Sequence, residues 1–334
     1  MIKIMKPGLL ASVQDMGRYG YQKYGVIASG VMDPLAHRIA NLLVGNEENQ
    51  PTIEVTLLGP LIEFQEDALI SICGGNLSPT IYGQPVPMWR TIFVAKGSML
   101  RFGSAESGCR AYLAVAGGLD VAPIMGSKST YLRAEIGGHH GRALKPNDEV
   151  AIGEQSELSV RIMDQLHKND VEDFVEARWS VATSIQPNLD LPFTIRVIKG
   201  RQFDWFSEES KRQFQEATFS VTSQSDRMGY RLEGSTLELS EQKELISEAV
   251  SFGTIQVPSD GNPIVLLADR QTTGGYPKIA QIVSVDLSLM AQAKPGDKLR
   301  FEFITHEEAQ ELFITREAWI NQVKHAIRLN VGGE

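Results

Sequence analysis

Three short segments of the sequence place carboxylate and guanidinium side chains side by side and close to glycine. An arginine fork can bind a carboxylate or a phosphate group through two parallel hydrogen bonds. A carboxylate can act as a general base once burial has raised its pKa. The side chains concerned are Gln14, Asp15 and Arg18 in the first segment, Asp226 and Arg227 in the second, and Asp269, Arg270, Gln271 and Thr272 in the third.

These nine side chains divide by chemistry into two candidate roles. The candidate catalytic residues are Asp15, Asp226 and Asp269, which can orient water or accept a proton. The arginines, the glutamines and Thr272 are candidates for binding a substrate, the arginines through an anionic group. Alternatively, each segment is an Asp–Arg pair that closes a loop. Because such charges are costly to bury without a purpose, the three segments together favour ligand contact for two of them.

The first segment lies in a glycine-rich stretch that leads into a helix. Glycines at positions 17, 20, 25 and 30 allow backbone conformations that other residues avoid. Asp33 is suited to cap the helix, Pro34 to occupy its first position and Gly45 to end it. A polar glycine-rich loop before a capped helix suits an anionic or carbonyl-bearing ligand, although a structural crossover has the same pattern.

Short strand patterns dominate both halves of the chain. They fall at 2–4, 52–58, 61–64, 68–73, 80–82, 91–95, 98–102, 110–116, 149–152 and 158–163, and then at 194–198, 253–257, 264–268, 280–285 and 298–304. Many short strands at close spacing indicate a barrel or a sandwich. Helical spacing predicts helices near 171–180, at 204–216 and at 307–328. A turn and strand at 145–152 recur at 294–301, which hints at two related β domains.

Composition and charge exclude several classes of partner. The 334 residues carry a formal net charge of −9, whereas nucleic acid binding needs a concentrated basic surface. No apolar run reaches the roughly 18 residues of a membrane span, and the first residues lack the apolar region of a signal peptide. We therefore expect a cytoplasmic protein with no membrane or nucleic acid partner, in which Cys73 and Cys109 are reduced and buried.

The adjacent histidines His139 and His140 raise the question of a metal site. Adjacent side chains do not share a helix or strand face, and the sequence has no carboxylate at a ligand-like spacing. We therefore expect no metal. The sequence also lacks the common phosphate-loop and nucleophile motifs. Any reaction of this protein that uses ATP is thus expected to take place at a site shared with a partner chain.

Five motifs, in order along the chain, carry a resemblance to a known family. They are Ser12-x-Gln14-Asp15-x-Gly17-Arg18-x-Gly20, Gly30-x-Met32-Asp33 with Asn41-x-x-Val44-Gly45-Asn46, Gly141-Arg142-Ala143-Leu144, SDRMGYRL at 225–232, and DRQTTGGYP at 269–277. Together they resemble the family of KipA and the 5-oxoprolinase C subunit, also called the allophanate hydrolase subunit 2 or carboxyltransferase A/B-subdomain family. The resemblance extends over residues 2–305.

The resemblance implies a mainly β chain with a few helices, built from two tandem cyclophilin-like β-barrel domains. On the strand pattern, we assign the first barrel to residues 1–163 and the second to residues 193–305. A linker with a helix is expected at 164–192, and a C-terminal helix at 306–328.

The resemblance also implies a function as the C subunit of an ATP-dependent 5-oxoprolinase, which opens the cyclic amide 5-oxo-L-proline to L-glutamate. The expected partners are the A and B subunits of 5-oxoprolinase, of which the B subunit is KipI. The chain is expected to be inactive alone, and ATP to be consumed by the complex. Two alternatives stay open. One is a regulatory antagonist that binds KipI, the inhibitor of a sporulation histidine kinase. The other is a carboxyltransferase-type subunit of a urea or allophanate system, which alone requires biotin.

Overall fold

The computed structural model describes residues 1–167, 173–241 and 243–331, which form two compact units. The first unit contains Met1–Arg18, Asp33–Gln186 and Glu317–Glu334, and the second contains Tyr19–Met32 and Pro187–Arg316. The division after residue 186 falls within the stretch assigned above to a linker. Nothing in the sequence pattern predicted that residues 19–32 belong to the second unit.

The first unit is built from two antiparallel six-stranded sheets that share one core. Its strands are β1 Ile2–Lys6, β2 Leu10–Gln14, β3 Thr52–Thr56, β4 Leu61–Phe64, β5 Ala68–Asn76, β6 Thr80–Ile81, β7 Gln84–Pro85, β8 Thr91–Val94, β9 Met99–Arg101, β10 Ser107–Val115, β11 Glu149–Val150 and β12 Phe174–Glu176. One sheet has the order β11-β1-β4-β9-β6-β7, and the other β12-β8-β5-β10-β3-β2. Ile4 and Phe64 of one sheet and Ile53 and Leu113 of the other are fully buried in the same core.

The second unit is a closed barrel. Its strands are β13 Phe193–Lys199, β14 Phe219–Val221, β15 Gly229–Glu233, β16 Glu248–Ala249, β17 Thr254–Gln256, β18 Ile264–Leu266, β19 Thr273–Gly274, β20 Lys278–Ile282 and β21 Lys298–Phe303. The barrel order is β13-β20-β17-β18-β15-β14-β21, and β16 and β19 form a separate pair. Strand β13 alternates as a barrel strand should, with Phe193, Ile195 and Val197 buried. A parallel pairing of β13 with β21 closes the ring.

The described residues also contain the helices α1 Pro34–Leu43, α2 Glu157–Leu166, α3 Glu208–Glu216, α4 Leu287–Gln292 and α5 His306–Val331. Helix α1 packs on β5 and β10 of the first unit. In the second unit, the ring of Phe214 on α3 stacks on Phe301 of β21, with 4.6 Å between the ring centroids. The prediction of a mainly β chain with a few helices is confirmed.

The helix predicted to follow Asp33 and the helix predicted at 307–328 are both found. At the start of α1, the Asp33 carboxylate accepts a hydrogen bond of 3.0 Å from the backbone N–H of Ala36. Gly45 follows α1 with φ of +77°, and a side chain there would also collide with Ser159. Thr305 and Glu308 cap α5 reciprocally, with hydrogen bonds of 2.7 and 3.1 Å.

Two sequence predictions are wrong. Residues 158–163 were predicted as a strand because Leu158, Val160 and Ile162 alternate with polar residues. They instead belong to α2, which Ser156 caps, and Val160 is 45% exposed while Ile162 is buried. The helix predicted near 171–180 is not found in its described part, since Phe174–Glu176 is a strand that pairs with β8. Its first two residues lie outside the described residues. Pairing with a sheet edge overrides helical spacing there.

Two further findings concern the general class of the protein. Among the described residues, no helix has both the length and the apolar character needed to cross a membrane. Cys73 and Cys109 are buried and are not joined in a disulfide. Burial raises the pKa of the Cys73 thiol well above its usual value, so this thiol stays protonated and unreactive.

A layer of buried polar side chains lies between α1 and the sheet beneath it. The hydroxyl of Tyr112 donates to Glu54 at 2.8 Å and accepts from the backbone N–H of Asp33 at 2.7 Å. His37 is fully buried, and its Nδ1 lies 2.9 Å from the hydroxyl of Thr52. Burial lowers the pKa of His37 from 6.5 to about 4, against the opposing effect of nearby carboxylates. His37 is therefore neutral at physiological pH.

This neutral histidine predicts a loss of stability in mild acid. Between pH 6.5 and about 4, His37 binds a proton in the unfolded chain but not in the folded one. The contribution of neutral His37 to the free energy of unfolding is thus complete above pH 6.5. It falls by about 3 kcal/mol as the pH drops to about 4, the pKa of His37 in the folded protein. In urea denaturation at stepped pH, we expect His37→Gln to be less stable at pH 7 but to show a flatter pH dependence. Equal slopes in the two proteins would contradict this assignment.

Candidate functional site

In the first unit, the Asp15 carboxylate organises a neighbouring loop. Asp15 follows β2 and is 3% exposed. Its Oδ1 accepts hydrogen bonds from the backbone N–H of Gly17 and from the hydroxyls of Ser127 and Ser129, at 2.9, 2.7 and 2.5 Å. Its Oδ2 accepts from the backbone N–H of Lys128 at 2.6 Å. Four donors therefore surround this carboxylate, and both of its oxygens hold residues 127–129 in place.

Arg18 and Gln14 act on the same loop. The fully buried Arg18 donates from Nε to the carbonyl of Ile124 and from Nη2 to that of Ser129, each at 2.9 Å. Gln14 donates to the carbonyl of Thr130 at 3.1 Å. Gly137 makes this close packing possible, because a Cβ there would lie 2.0 Å from the Ser129 carbonyl. In these contacts, Asp15 and Arg18 each bind residues 124–130, so this segment has a structural role in holding that loop.

In the second unit, the other two segments lie at the same end of a strand pair. Strands β15 and β18 are antiparallel, with Gly229 opposite Leu266. Residues 225–228 precede β15 and residues 267–272 follow β18, so the two segments run side by side. The backbone N–H of Asp269 donates to the carbonyl of Arg227 at 2.8 Å, and that of Leu267 to Met228 at 3.0 Å. Six of the nine candidate residues are thereby brought into one region.

A buried ion pair joins these two segments. Arg227 Nε and Nη2 donate to the two oxygens of Asp269, at 3.0 and 3.2 Å. Arg227 is 5% and Asp269 6% exposed. The pair also fixes a third segment, because Arg227 Nη2 donates to the carbonyl of Gly30 at 2.5 Å and Ser29 donates to Asp269 at 2.7 Å. Ser29 was not singled out in the sequence, and only its place within the glycine-rich stretch pointed to it.

Asp226 differs from the other two candidate carboxylates in being exposed. Its Oδ1 accepts hydrogen bonds from the backbone N–H groups of Met228 and Gly229, at 2.8 and 3.3 Å. This is the pattern of an aspartate that stabilises a turn with its own side chain. Asp226 thus combines a fixed position with contact to solvent, as a residue that handles water requires.

Arg270 is a half-buried cation that no carboxylate of the described residues neutralises in an ion pair. Its Nη1 donates to the carbonyl of Leu267 at 3.3 Å, and its guanidinium carbon lies 5.8 Å from the ring centroid of Phe252. Burial lowers the pKa of Arg270, against the opposing effects of Tyr19 and Asp269. Gln271, next in the chain, is exposed, and Thr272 is half-buried. The geometry offers a partly desolvated guanidinium to an anionic ligand.

The residues near His139 include a carboxylate that is already paired with an arginine. His139 Nε2 lies 3.7 Å from Asp148, a carboxylate that the sequence spacing did not reveal. Asp148 already forms a two-point pair with Arg142, at 2.7 and 2.8 Å, which lowers the pKa of Asp148 to about 2. Over the described part of the chain, no group of three or more histidine, cysteine or acidic side chains is arranged to hold a metal ion.

The N-termini of the described helices each carry a negative charge of their own. A helix N-terminus binds phosphate through its free N–H groups and the positive end of its dipole. Each of the five helices in the described residues instead begins with a carboxylate of its own, at the cap or in the first turn. These carboxylates are Asp33, Glu157, Glu208, Asp286 and Glu307.

The buried ion pair predicts a large loss of stability when one partner is removed. Arg227→Met leaves the Asp269 charge buried without its cation, so we expect the free energy of unfolding to fall by about 3–5 kcal/mol. Arg212→Ala breaks an exposed pair with Glu209 on α3 and is the matched control, for which we expect little or no loss because solvent screens exposed charges. Urea denaturation at pH 7 measures both, and equal small losses would show that the pair is not structurally important.

Comparison with known proteins assigns this chain to a family. A family model described as the carboxyltransferase domain, subdomain A and B, matches residues 24–303. The chain is 35% identical to the 5-oxoprolinase C subunit of Haemophilus influenzae, over 98% of this chain and 99% of that protein. It is 37% identical to the 5-oxoprolinase C subunit of Escherichia coli, over 96% and 98%. These two relatives have nearly the same length as this chain.

A solved structure shows the same fold within a larger protein. The urea carboxylase of Kluyveromyces lactis superposes with a TM-score of 0.86 at 31% identity. The match covers 96% of this chain but only 29% of the urea carboxylase chain. The fold described above therefore also occurs as one part of a longer polypeptide.

Proposed function

Because this chain belongs to the family of the carboxyltransferase domain, subdomain A and B, we propose that it is the C subunit of an ATP-dependent 5-oxoprolinase. Two relatives that match over nearly their whole length carry this name. Such an enzyme has further subunits, which we propose to be the A and B subunits of 5-oxoprolinase, the latter also called KipI. The proposed reaction opens 5-oxo-L-proline to L-glutamate, with ATP hydrolysis by the complex.

The observation that supports this assignment is the environment of Arg270. The proposed substrate is a small ring with one carboxylate and one cyclic amide. Arg18 is fully buried, and Arg227 pairs with Asp269. Arg270 is only half-buried, donates to the carbonyls of Val250 and Leu267, and has no ion-pair partner in the parts of the chain that are described. We assign the substrate carboxylate to the Arg270 fork, which matches it in shape and charge. Gln271 and Thr272, next in the chain, are assigned to the ring amide.

The three candidate carboxylates receive different roles. In the proposed reaction, water adds to the ring carbonyl carbon, the carbon–nitrogen bond breaks, and the nitrogen takes up a proton to become the amino group of glutamate. Asp226 is assigned to orient this water and to accept its proton, because Asp226 is exposed and held by its turn. Asp15 and Asp269 are assigned to positioning, because neighbouring donors surround their oxygens.

The match to urea carboxylase favours a second candidate function, that of a carboxyltransferase-type subunit of a biotin-dependent urea or allophanate system. The same Arg270 fork would then bind a carboxylated or carbonyl-bearing substrate. In the regulatory alternative, the chain binds KipI and relieves inhibition of a kinase. The experiment below distinguishes this alternative from the two enzymatic functions.

The first test is ATP-dependent release of glutamate from 5-oxo-L-proline. We expect turnover only when the chain is mixed with the A and B subunits. Arg270→Gln should raise KM for 5-oxo-L-proline about 10- to 100-fold, because a hydrogen bond to a charged group contributes about 1.5–3 kcal/mol. Arg270→Lys should fall between wild type and Arg270→Gln, since it keeps the charge but loses the fork. Asp226→Asn should lower kcat by about 10²-fold or more.

The control is Arg212→Ala, which removes an exposed cation from α3 of the same unit and should leave both constants unchanged. All variants are compared in complexes whose assembly has been checked by gel filtration. No turnover in any mixture would refute the proposal. Binding to KipI without turnover would support the regulatory alternative, and biotin-dependent transfer with urea as acceptor would support the second candidate.

A further inference from the structure

The segment that carries Arg270 is attached to a second, short segment of the same unit. Strand β19 pairs with β16, with Glu248 opposite Gly274 and Ala249 opposite Thr273. The backbone N–H of Val250 donates to the carbonyl of Thr272 at 3.2 Å. An isolated two-stranded pair of this size is not stable by itself. The position of residues 270–274 therefore depends on what holds β16.

Glu248 holds β16 to the barrel through three charged or polar donors. Lys278 Nζ and Gln202 Nε2 donate to its Oε1 at 2.7 and 2.8 Å, and Arg201 donates to its Oε2 at 2.7 Å. Lys278 begins the barrel strand β20, and its side chain is 9% exposed. Gln202 is itself fixed, since its Oε1 accepts from the backbone N–H of Lys278 at 3.2 Å. One carboxylate thus links the short strand pair to the rigid barrel.

Strand β19 also packs against the barrel, where it lies on the side chain of Gln256. A Cβ on Gly274 would lie 2.2 Å from Nε2 of Gln256, so the backbone of Gly274 passes directly over this buried amide. Gln256 Nε2 has no hydrogen-bond partner in the described part of the chain. Packing at Gly274 therefore sets the distance between β19 and the barrel. The hydrogen bonds of Glu248 supply the directional interactions that fix the β16–β19 pair on the barrel.

We infer that Glu248 is the positioning residue of residues 269–277. Through Lys278, Gln202 and Arg201 it fixes β16 on the barrel, and through the β16–β19 pairing it sets where Arg270, Gln271 and Thr272 stand. The consequence for substrate binding rests on the proposed function, whereas the mechanical role does not. Binding groups placed on loops act accurately only when a rigid scaffold supports them.

Hydrogen–deuterium exchange tests the mechanical role without any activity. In Glu248→Leu and in Lys278→Met, we expect amide exchange in residues 269–277 to speed up at least tenfold, with β13 and β21 unchanged. Glu248→Gln keeps an acceptor but loses the charge and should lie between these variants and wild type. Arg212→Ala is the control and should not alter this segment. Unchanged exchange at 269–277, or equal acceleration throughout the barrel, would overturn the inference.

Kinetics with the partner subunits test the consequence for binding. Glu248→Leu should raise KM for 5-oxo-L-proline about tenfold with kcat within about threefold of wild type. Added to Arg270→Gln, it should raise KM by clearly less than tenfold, because part of its effect acts through the position of Arg270. Additive effects would overturn the inference. If the wild-type mixture has no turnover, the proposed function fails, and the exchange result still decides the role of Glu248.

Discussion

The second unit depends on one buried ion pair, between Arg227 and Asp269. Two charges so deeply buried are stable only when hydrogen bonds satisfy their remaining donors and acceptors. Here the hydroxyl of Ser29 and the carbonyl of Gly30 contribute to this, so three segments far apart in sequence meet at one point. The pair also affects the ion pairing of Arg270. Because Asp269 is engaged by Arg227, it forms no ion pair with Arg270, the next residue in the chain.

The first unit uses the same residue types to a different end. Asp15 and Arg18 hold the backbone and hydroxyl groups of residues 124–130, and both are almost fully buried. Residue type therefore does not separate a binding arginine from a structural one. What differs between Arg18 and Arg270 is burial, since Arg18 is fully buried. Arg270 also donates to two backbone carbonyls but is only half-buried, beside the ring of Phe252.

The parts of the fold that the sequence predicted correctly are those with local causes. The ends of α1 and α5 follow from caps only three residues away, and the strands of both units follow from short alternating runs. The errors arose where the local pattern fits two structures. Residues 158–163 alternate like a strand, although Ser156 caps them as part of a helix. Phe174–Glu176 is a strand because β8 lies beside it. Residues 19–32 fall in the second unit, where Ser29 and Gly30 contact Asp269 and Arg227, about 200 residues away in the chain.

The sequence predicted the residue types of the candidate site but not which residue has which role. Nine side chains were singled out, and the contacts of the structure distinguish them by the partners each one has. In the proposed function, the guanidinium that lacks an ion-pair partner among the described residues binds the substrate carboxylate, and ATP is consumed by the complex. The same side-chain types thus serve a structural role where neighbouring groups occupy them, as at Asp15 and Asp269, and a binding role where they face solvent.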